Sequence, residues 1–159
     1  MVLHSSTKAG RIAEFFACGV IEDLGWQTSL CQQDGVDLIA FKDNEYIRIQ
    51  VKGSSIKRSL RNNGLQFIMG LGTNKRLPST KDYDIACMVS TYHRRCWFVH
   101  VCNIQRKSIR RPKSFYENTE LEYESWEKAI DIFREIKRND RSKFQVICKQ
   151  NYTSYSRYY

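Results

Sequence analysis

Residues 36–41 and 46–51 are two runs rich in aliphatic and aromatic side chains, separated by Lys42-Asp43-Asn44-Glu45. A two-residue turn on Asp43-Asn44 suits the positive φ angles that primed hairpin turns require. With that turn, cross-strand partners have residue numbers that sum to 87, so Asp37 faces Gln50. Partners of this kind have Cβ atoms about 4.5–5.5 Å apart. Lys52 lies two residues beyond Gln50 and projects from the same side. The other side carries Val36, Leu38, Ala40, Ile47, Ile49 and Val51, a continuous apolar surface. Ile39, Phe41 and Tyr46 share the polar side but lie nearer the turn. A slip of one residue would bury the charges and expose the aliphatics, which fixes the register. A carboxylate, an amide and an ammonium thus converge on one patch. Taken alone, that patch is most simply the solvated face of an amphipathic hairpin.

At 159 residues the chain is most simply one domain, residues 1–159, with a basic, Tyr-rich extension from about residue 139. Hydrophobic residues make up 42% and aromatics 13%, which places it among globular rather than disordered chains. Lys and Arg number 26 against 17 Asp and Glu, a net charge of +9. That balance favours an anionic partner, nucleic acid being the commonest, without choosing between DNA, RNA and an anionic membrane surface. No apolar run approaches a spanning helix, and the start Met1-Val2-Leu3-His4-Ser5 lacks the charged and apolar regions of a signal peptide. The expectation is a soluble, cytoplasmic protein with no membrane partner. Six scattered cysteines contain no Cys-x-x-Cys pair, and the three histidines are not grouped with them. Buried thiols in a reducing compartment are expected rather than a zinc site.

Elsewhere, Ile12, Ala13, Phe16, Ala17, Val20, Ile21 and Leu24 recur at helical spacing between the caps Ser5-Ser6-Thr7 and the stop Gly25, predicting a helix over 7–24. Glu14 lies on it, one turn from Gly10 and between Ala13 and Phe15; by itself it is a helix carboxylate paired to Arg11 or to solvent. Residues 26–33 and 65–69 are strand candidates, 70–82 an exposed loop, and 84–90 with 96–101 a second hairpin. A basic link over 106–113 leads to a helix near 122–137, and 144–148 is a last possible strand.

A helix with Glu14, a strand, a hairpin with Asp37, and then Gln50-x-Lys52 is an order that resembles the PD-(D/E)XK nucleases. Within them the chain is most similar to group I intron-encoded homing endonucleases, in which a glutamine replaces the second motif acid. The resemblance covers residues 8–55 through Gly10-x-x-x-Glu14, Gly35-Val36-Asp37 and Ile49-Gln50-Val51-Lys52-Gly53-Ser54. It continues weakly through Tyr83-Asp84-Ile85-Ala86 and Trp97-Phe98-Val99. Val36 stands where the superfamily's proline would be. The resemblance implies an α/β (α+β) fold with a restriction-endonuclease-like core, an N-terminal helix followed by a mixed β-sheet flanked by helices. It also implies a sequence-specific, metal-dependent endonuclease for double-stranded DNA. Hydrolysis of a phosphodiester calls for a hard divalent cation, Mg2+ with Mn2+ able to substitute. Asp37 is its natural first ligand, Gln50 adds a neutral carbonyl oxygen, and Glu14 carries over as the second negative charge. Lys52 would orient the attacking water or stabilise the phosphate in the transition state. Asp34 is a competing acid that suits a turn cap before Gly35.

Candidate DNA-binding residues are Lys8, Arg11, Ser54, Lys57, Arg58, Arg61, Lys75, Arg76, Arg94 and Arg95, with the 106–113 run as a further basic cluster. Each cluster alone is more often a solvated face. Cutting two strands with one site per subunit requires a homo-oligomer, at least a dimer, and the resemblance implies a tetramer; the expected location is cytoplasmic, at the nucleoid when acting. A Holliday-junction resolvase, sharing the core but reading DNA shape, and a catalytically inactive nucleic-acid-binding module are the competing functions.

Overall fold

The computed structural model describes residues 5–33, 35–54 and 64–139. Helix α1 (Ser5–Asp23) is followed by strands β1 (Gln27–Gln33), β2 (Val36–Lys42) and β3 (Glu45–Ser54). Then come β4 (Gly64–Ile68), β5 (Ile85–Ser90), β6 (Arg95–His100), a 3-10 turn over Val101–Asn103, and β7 (Ser108–Pro112). A short helix α2 (Ser114–Glu117) and a long helix α3 (Thr119–Arg138) complete the described part. The main sheet has the order β1-β2-β3-β5-β6, with β3 and β5 parallel and the other pairs antiparallel. This is the expected architecture, an N-terminal helix and a mixed sheet flanked by helices. Among the described residues no helix is long and apolar enough to cross a membrane.

Helix α1 buries Ala13, Ala17 and Ile21, spaced four residues apart, so one narrow stripe meets the sheet. Ile12, by contrast, is 41% exposed, so the buried face is narrower than the helical spacing of apolar residues implied. Gly25 ends the helix at a φ of +83°, with its N–H on Glu22 O at 2.9 Å and the N–H of Trp26 on Ile21 O at 3.2 Å. Leu38, Ala40, Ile47, Ile49 and Val51 pack beneath α1 as the hairpin pattern required. Val36 departs from that pattern: it joins a second core on the opposite face with Tyr83, Ala86 and Met88.

Helix α3 covers the β6 end of the first face. Trp126 is fully buried and packs edge-on against Trp26 and Phe98, with ring centroids 5.6 and 4.9 Å away. The helix also closes the free edge of β6. Cys96 N–H donates to Glu122 Oε2 at 2.5 Å, and Phe98 N–H to Ser125 Oγ at 3.1 Å. Edge amides that would otherwise invite another strand are thus satisfied by side chains of α3. Arg134 reaches the other end of the sheet, where it grips Glu45 beside the hairpin turn at 2.7 Å.

The 106–113 run is not the link expected from its charge. It contains β7, paired antiparallel with β4 in a separate two-stranded ribbon that covers the second core. The 70–82 segment is a loop as expected, though Gly70 and Pro78 in it are buried. No disulfide joins the described cysteines: Cys87 and Cys96 are buried, and Cys18, Cys31 and Cys102 are half-buried. The segment 144–148 and the Tyr-rich extension lie outside the described residues.

His100 is buried at the end of β6, and its Nδ1 accepts from Cys102 N–H at 3.3 Å. Burial lowers its pKa from 6.5 to about 4, against the opposing pull of the Asp84 carboxylate. Between those values the unfolded chain takes a proton that the folded chain refuses, so His100 contributes stability above pH 6.5 that is lost as the pH falls toward 4. His100→Asn keeps an acceptor for Cys102 and removes the titration. Urea unfolding above and below this window should show a smaller acid loss for the variant. An unchanged loss would mean that other groups carry it.

Candidate active site

The β2–β3 ladder runs from Lys42↔Glu45 to Leu38↔Ile49, which is the register deduced from the turn, and Asp43 has the positive φ, +53°. Asp37 and Gln50 lie one step beyond the last of these pairs. There the half-buried Asp37 carboxylate turns across to β3. Its Oδ2 accepts from the Gln50 side-chain amide and from the backbone N–H of Val51, the latter at 2.6 Å. Burial raises the Asp37 carboxyl above its ordinary value of 3.8, against the Val51 N–H, the Lys52 charge and Gln50, which lower it. Lys52 is half-buried on the same strand. Burial lowers its ammonium below the ordinary 10.5; Asp37 opposes this and Lys75 reinforces it.

Glu14 is brought to this fork by a close helix–strand contact. A Cβ added to Gly53 would lie 2.8 Å from Ala13 Cβ and 3.8 Å from Ala9 O, so only glycine lets α1 approach β3 this closely. Glu14, next to Ala13 on that helix, is half-buried. Burial raises its carboxyl above 4.5, the charge of Asp37 raises it further, and Arg11 lowers it. Two carboxylates that each resist ionisation, with an amide beside them, form a hard oxygen donor set of the kind magnesium or manganese takes. Among the described residues no three His, Cys, Asp or Glu side chains gather in one place. Gln50 would be a further oxygen donor from the protein to a metal held here. Its NH2 end faces Asp37 here, and rotation of the amide presents Oε1 instead.

The 70–82 loop adds positive charge to this region. Lys75 sits in it at a φ of +49°, and its charge acts on Lys52. Arg76, a candidate for DNA contact, binds Asp82 through both Nη atoms, at 2.8 and 2.5 Å. That pairing holds Asp82 well below the usual carboxylate range. Arg48, which sequence reasoning missed, ties the loop to β3. Its guanidinium reaches Asp84 Oδ1 at 2.9 Å and Thr80 O at 2.6 Å. Tyr83, part of the weaker sequence resemblance but without an assigned role there, is fully buried. Its hydroxyl has no hydrogen-bond partner among the described residues, and burial with the charges of Asp82 and Asp37 pushes the phenol up.

Of the other candidate contact residues, Lys8 and Arg11 are exposed on α1. Ser54 closes β3, where its carbonyl accepts from Thr91 N–H at 3.3 Å. Arg94 is exposed in the β5–β6 turn at the same end of the sheet, at a φ of +54°. Arg95 is partly engaged with Glu122 at 3.5 Å. Lys57, Arg58 and Arg61, and the competing acid Asp34, lie outside the described residues. His93 and His100 are engaged in local contacts: His93 Nδ1 with Ser90 Oγ at 2.7 Å, and His100 Nδ1 with Cys102 N–H at 3.3 Å.

The sequence matches no protein-family model and no curated protein. Among solved structures, the fold is similar to that of a bacterial homing endonuclease, I-Ssp6803I, with a TM-score of 0.58 and 18% identity over 68% of this chain and 78% of that one.

Proposed function

We propose that this chain is a metal-dependent DNA endonuclease of the intron-homing type, with a PD-(D/E)XK-like site in which Gln50 takes the place of the second acid. The reading is supported by the Asp37–Gln50 hydrogen bond, with Lys52 on the same strand and both Lys52 and Glu14 within electrostatic reach of Asp37, on a fold like that of a bacterial homing endonuclease. Asp37, Glu14 and the Gln50 carbonyl would hold Mg2+ or Mn2+. When bound, such a cation acidifies a water and offsets charge on the phosphate and the leaving oxygen.

The chain's own groups have separable tasks. Asp37 is held at a fixed place through Oδ2, which accepts from both the Gln50 amide and Val51 N–H. Lys52 is partly stripped of water, which strengthens its pull on an anionic phosphate or an attacking water. Lys75 and the exposed Lys8, Arg11 and Arg94 supply positive charge around the fork for the DNA backbone. Two such subunits are needed to cut both strands, so the active form is a homo-oligomer, a dimer or the tetramer that the resemblance implies.

Purified protein with Mg2+ or Mn2+ is expected to nick supercoiled plasmid. It should cut a duplex carrying an intron-insertion target in preference to a synthetic four-way junction. Cleavage of the junction alone would replace the homing role with junction resolution. A second reading draws on the Asp37 carboxylate, which Gln50 and Val51 already hold by hydrogen bonds: a binding module with a silent site. Metal-independent DNA binding without any nicking would select it.

A further inference from the structure

The outer face of the β4–β7 ribbon has no task in the site described above. Its register places Gln66 opposite Arg110 and Ile68 opposite Ser108. Leu65, Phe67 and Ile109 point inward to the second core, and Arg111 is buried with its guanidinium 5.7 Å from the Trp97 ring centroid. Alternation along each strand therefore turns Gln66, Ile68 and Arg110 outward, where all three are exposed. The Gln66 amide donates to Ser108 Oγ at 2.8 Å, which holds it in place next to Arg110. Arg106 and Lys107 continue the positive charge at the end of the ribbon and are exposed as well.

The ribbon also stands on the catalytic side of the sheet. Its inner face covers Ala86 and Met88, the β5 partners of Gln50 and Lys52, so all four side chains project from one face. From β4 the chain passes through Met69 and Gly70, whose N–H groups both bond Lys107 O, at 2.8 and 3.2 Å. It then enters the loop that brings Lys75 toward Lys52. DNA lying against the site would meet the ribbon next.

We propose that the β4–β7 ribbon enters the major groove of double-stranded DNA and reads base edges through Gln66 and Arg110. The groove is about 12 Å wide and admits a two-stranded ribbon. An amide offers a donor and an acceptor together, as adenine requires, and a guanidinium fork suits the two acceptors of guanine. Ile68 adds an apolar contact for a thymine methyl. Positive charge along the ribbon complements the phosphates on either side. The location of the DNA rests on the nuclease reading, but base readout does not require cleavage.

The test uses a duplex library with a randomised tract, from which the full-length protein selects sequences without divalent metal. Wild-type protein should enrich a motif. Arg110→Ala and Arg110→Lys should each lose about 10- to 100-fold of the preference for guanine at one position, the lysine variant keeping its overall affinity. Gln66→Ala should lose a similar preference for adenine nearby. Arg106→Ala and Lys107→Ala should weaken all sequences alike. Because Gln66 and Arg110 are exposed, unchanged melting temperatures are expected to accompany these losses. A motif unaffected by Gln66 and Arg110 substitutions, a uniform drop in affinity, or no enriched motif at all would overturn the ribbon's role. So would altered sedimentation of the DNA-free Arg110→Ala protein, which would make the face a contact between copies of the chain. A wild-type protein that enriches a motif through these residues yet never nicks plasmid would overturn the nuclease reading and leave the ribbon standing.

Discussion

Asp37→Ala and Asp37→Asn should both abolish metal-dependent nicking, a loss of roughly 1000-fold or more, equivalent to about 4 kcal/mol of transition-state stabilisation. The site contains two carboxylates, and only Asp37 is fixed on the sheet by hydrogen bonds from both Gln50 and Val51. Gln50 would contribute only a neutral oxygen, so Glu14 alone would be left to offset the charge of a hard cation once Asp37 is gone. DNA binding should persist, since the surrounding lysines and arginines are untouched. The asparagine variant gives an independent readout. The carboxyl of Asp37 is raised by burial, so in metal-free protein its ionised form costs stability as the pH rises above 3.8. Asp37→Asn keeps an acceptor for Val51 N–H without that charge. At neutral pH it should therefore melt at or above the wild-type temperature without metal. Adding Mg2+ should raise the melting temperature of the wild type and not of the variant. Retained nicking, or an equal Mg2+ shift in both proteins, would remove Asp37 from the site.

Gln50→Glu bears on the same assignment from the other side. It adds the carboxylate that the position lacks and should retain affinity for Mg2+ and Mn2+. Loss of all metal affinity in that variant would mean that Gln50 is not a ligand. The carboxylate would then sit against Asp37 with no cation between them to relieve the repulsion.

What could be read from the sequence was set by local physics. The turn Asp43-Asn44 and a period of two fixed the β2–β3 register, and with it the facing of Asp37 and Gln50. Helix α1 followed from spacing and Gly25. The ribbon was hidden because β4 and β7 are separated by some forty residues, and no local pattern announces such a pairing. Its signal was further masked by Arg111, which occupies an inward position by laying its stem and guanidinium against Trp97 and Phe115. A charged residue at a core position makes an alternating strand look like a basic linker. Val36 escaped its expected face because it stands at the first position of β2, after Gly35 at a φ of +83°, where the ladder to β3 has already ended. Lys75 and Arg76 looked alike in sequence, yet tertiary placement sends one toward Lys52 and the other to Asp82.

The nearness of Glu14 to Asp37 depends on a contact that neither residue makes, and Gly53→Ala should expose it. The added Cβ would stand 2.8 Å from Ala13 Cβ, whereas carbon atoms in contact prefer about 3.5–4.0 Å. Helix α1 must then retreat by about 1 Å, and Glu14 retreats with it. Overpacking of this kind typically costs about 1–3 kcal/mol of stability. A displacement of about 1 Å at a reacting group can cost on the order of 100-fold in rate. The two effects separate in the double variant. Ala13→Gly removes the clashing methyl and should restore the helix position and most of the nicking rate in the Gly53→Ala background. Its own glycine, inside a helix, still costs about 1 kcal/mol relative to alanine. The double variant should thus be close to wild type in activity while remaining less stable, with a favourable coupling energy between the two positions. If Ala13→Gly recovers stability but leaves nicking low, the placement of Glu14 is not what Gly53 secures, and the carboxylate of α1 drops out of the proposed site.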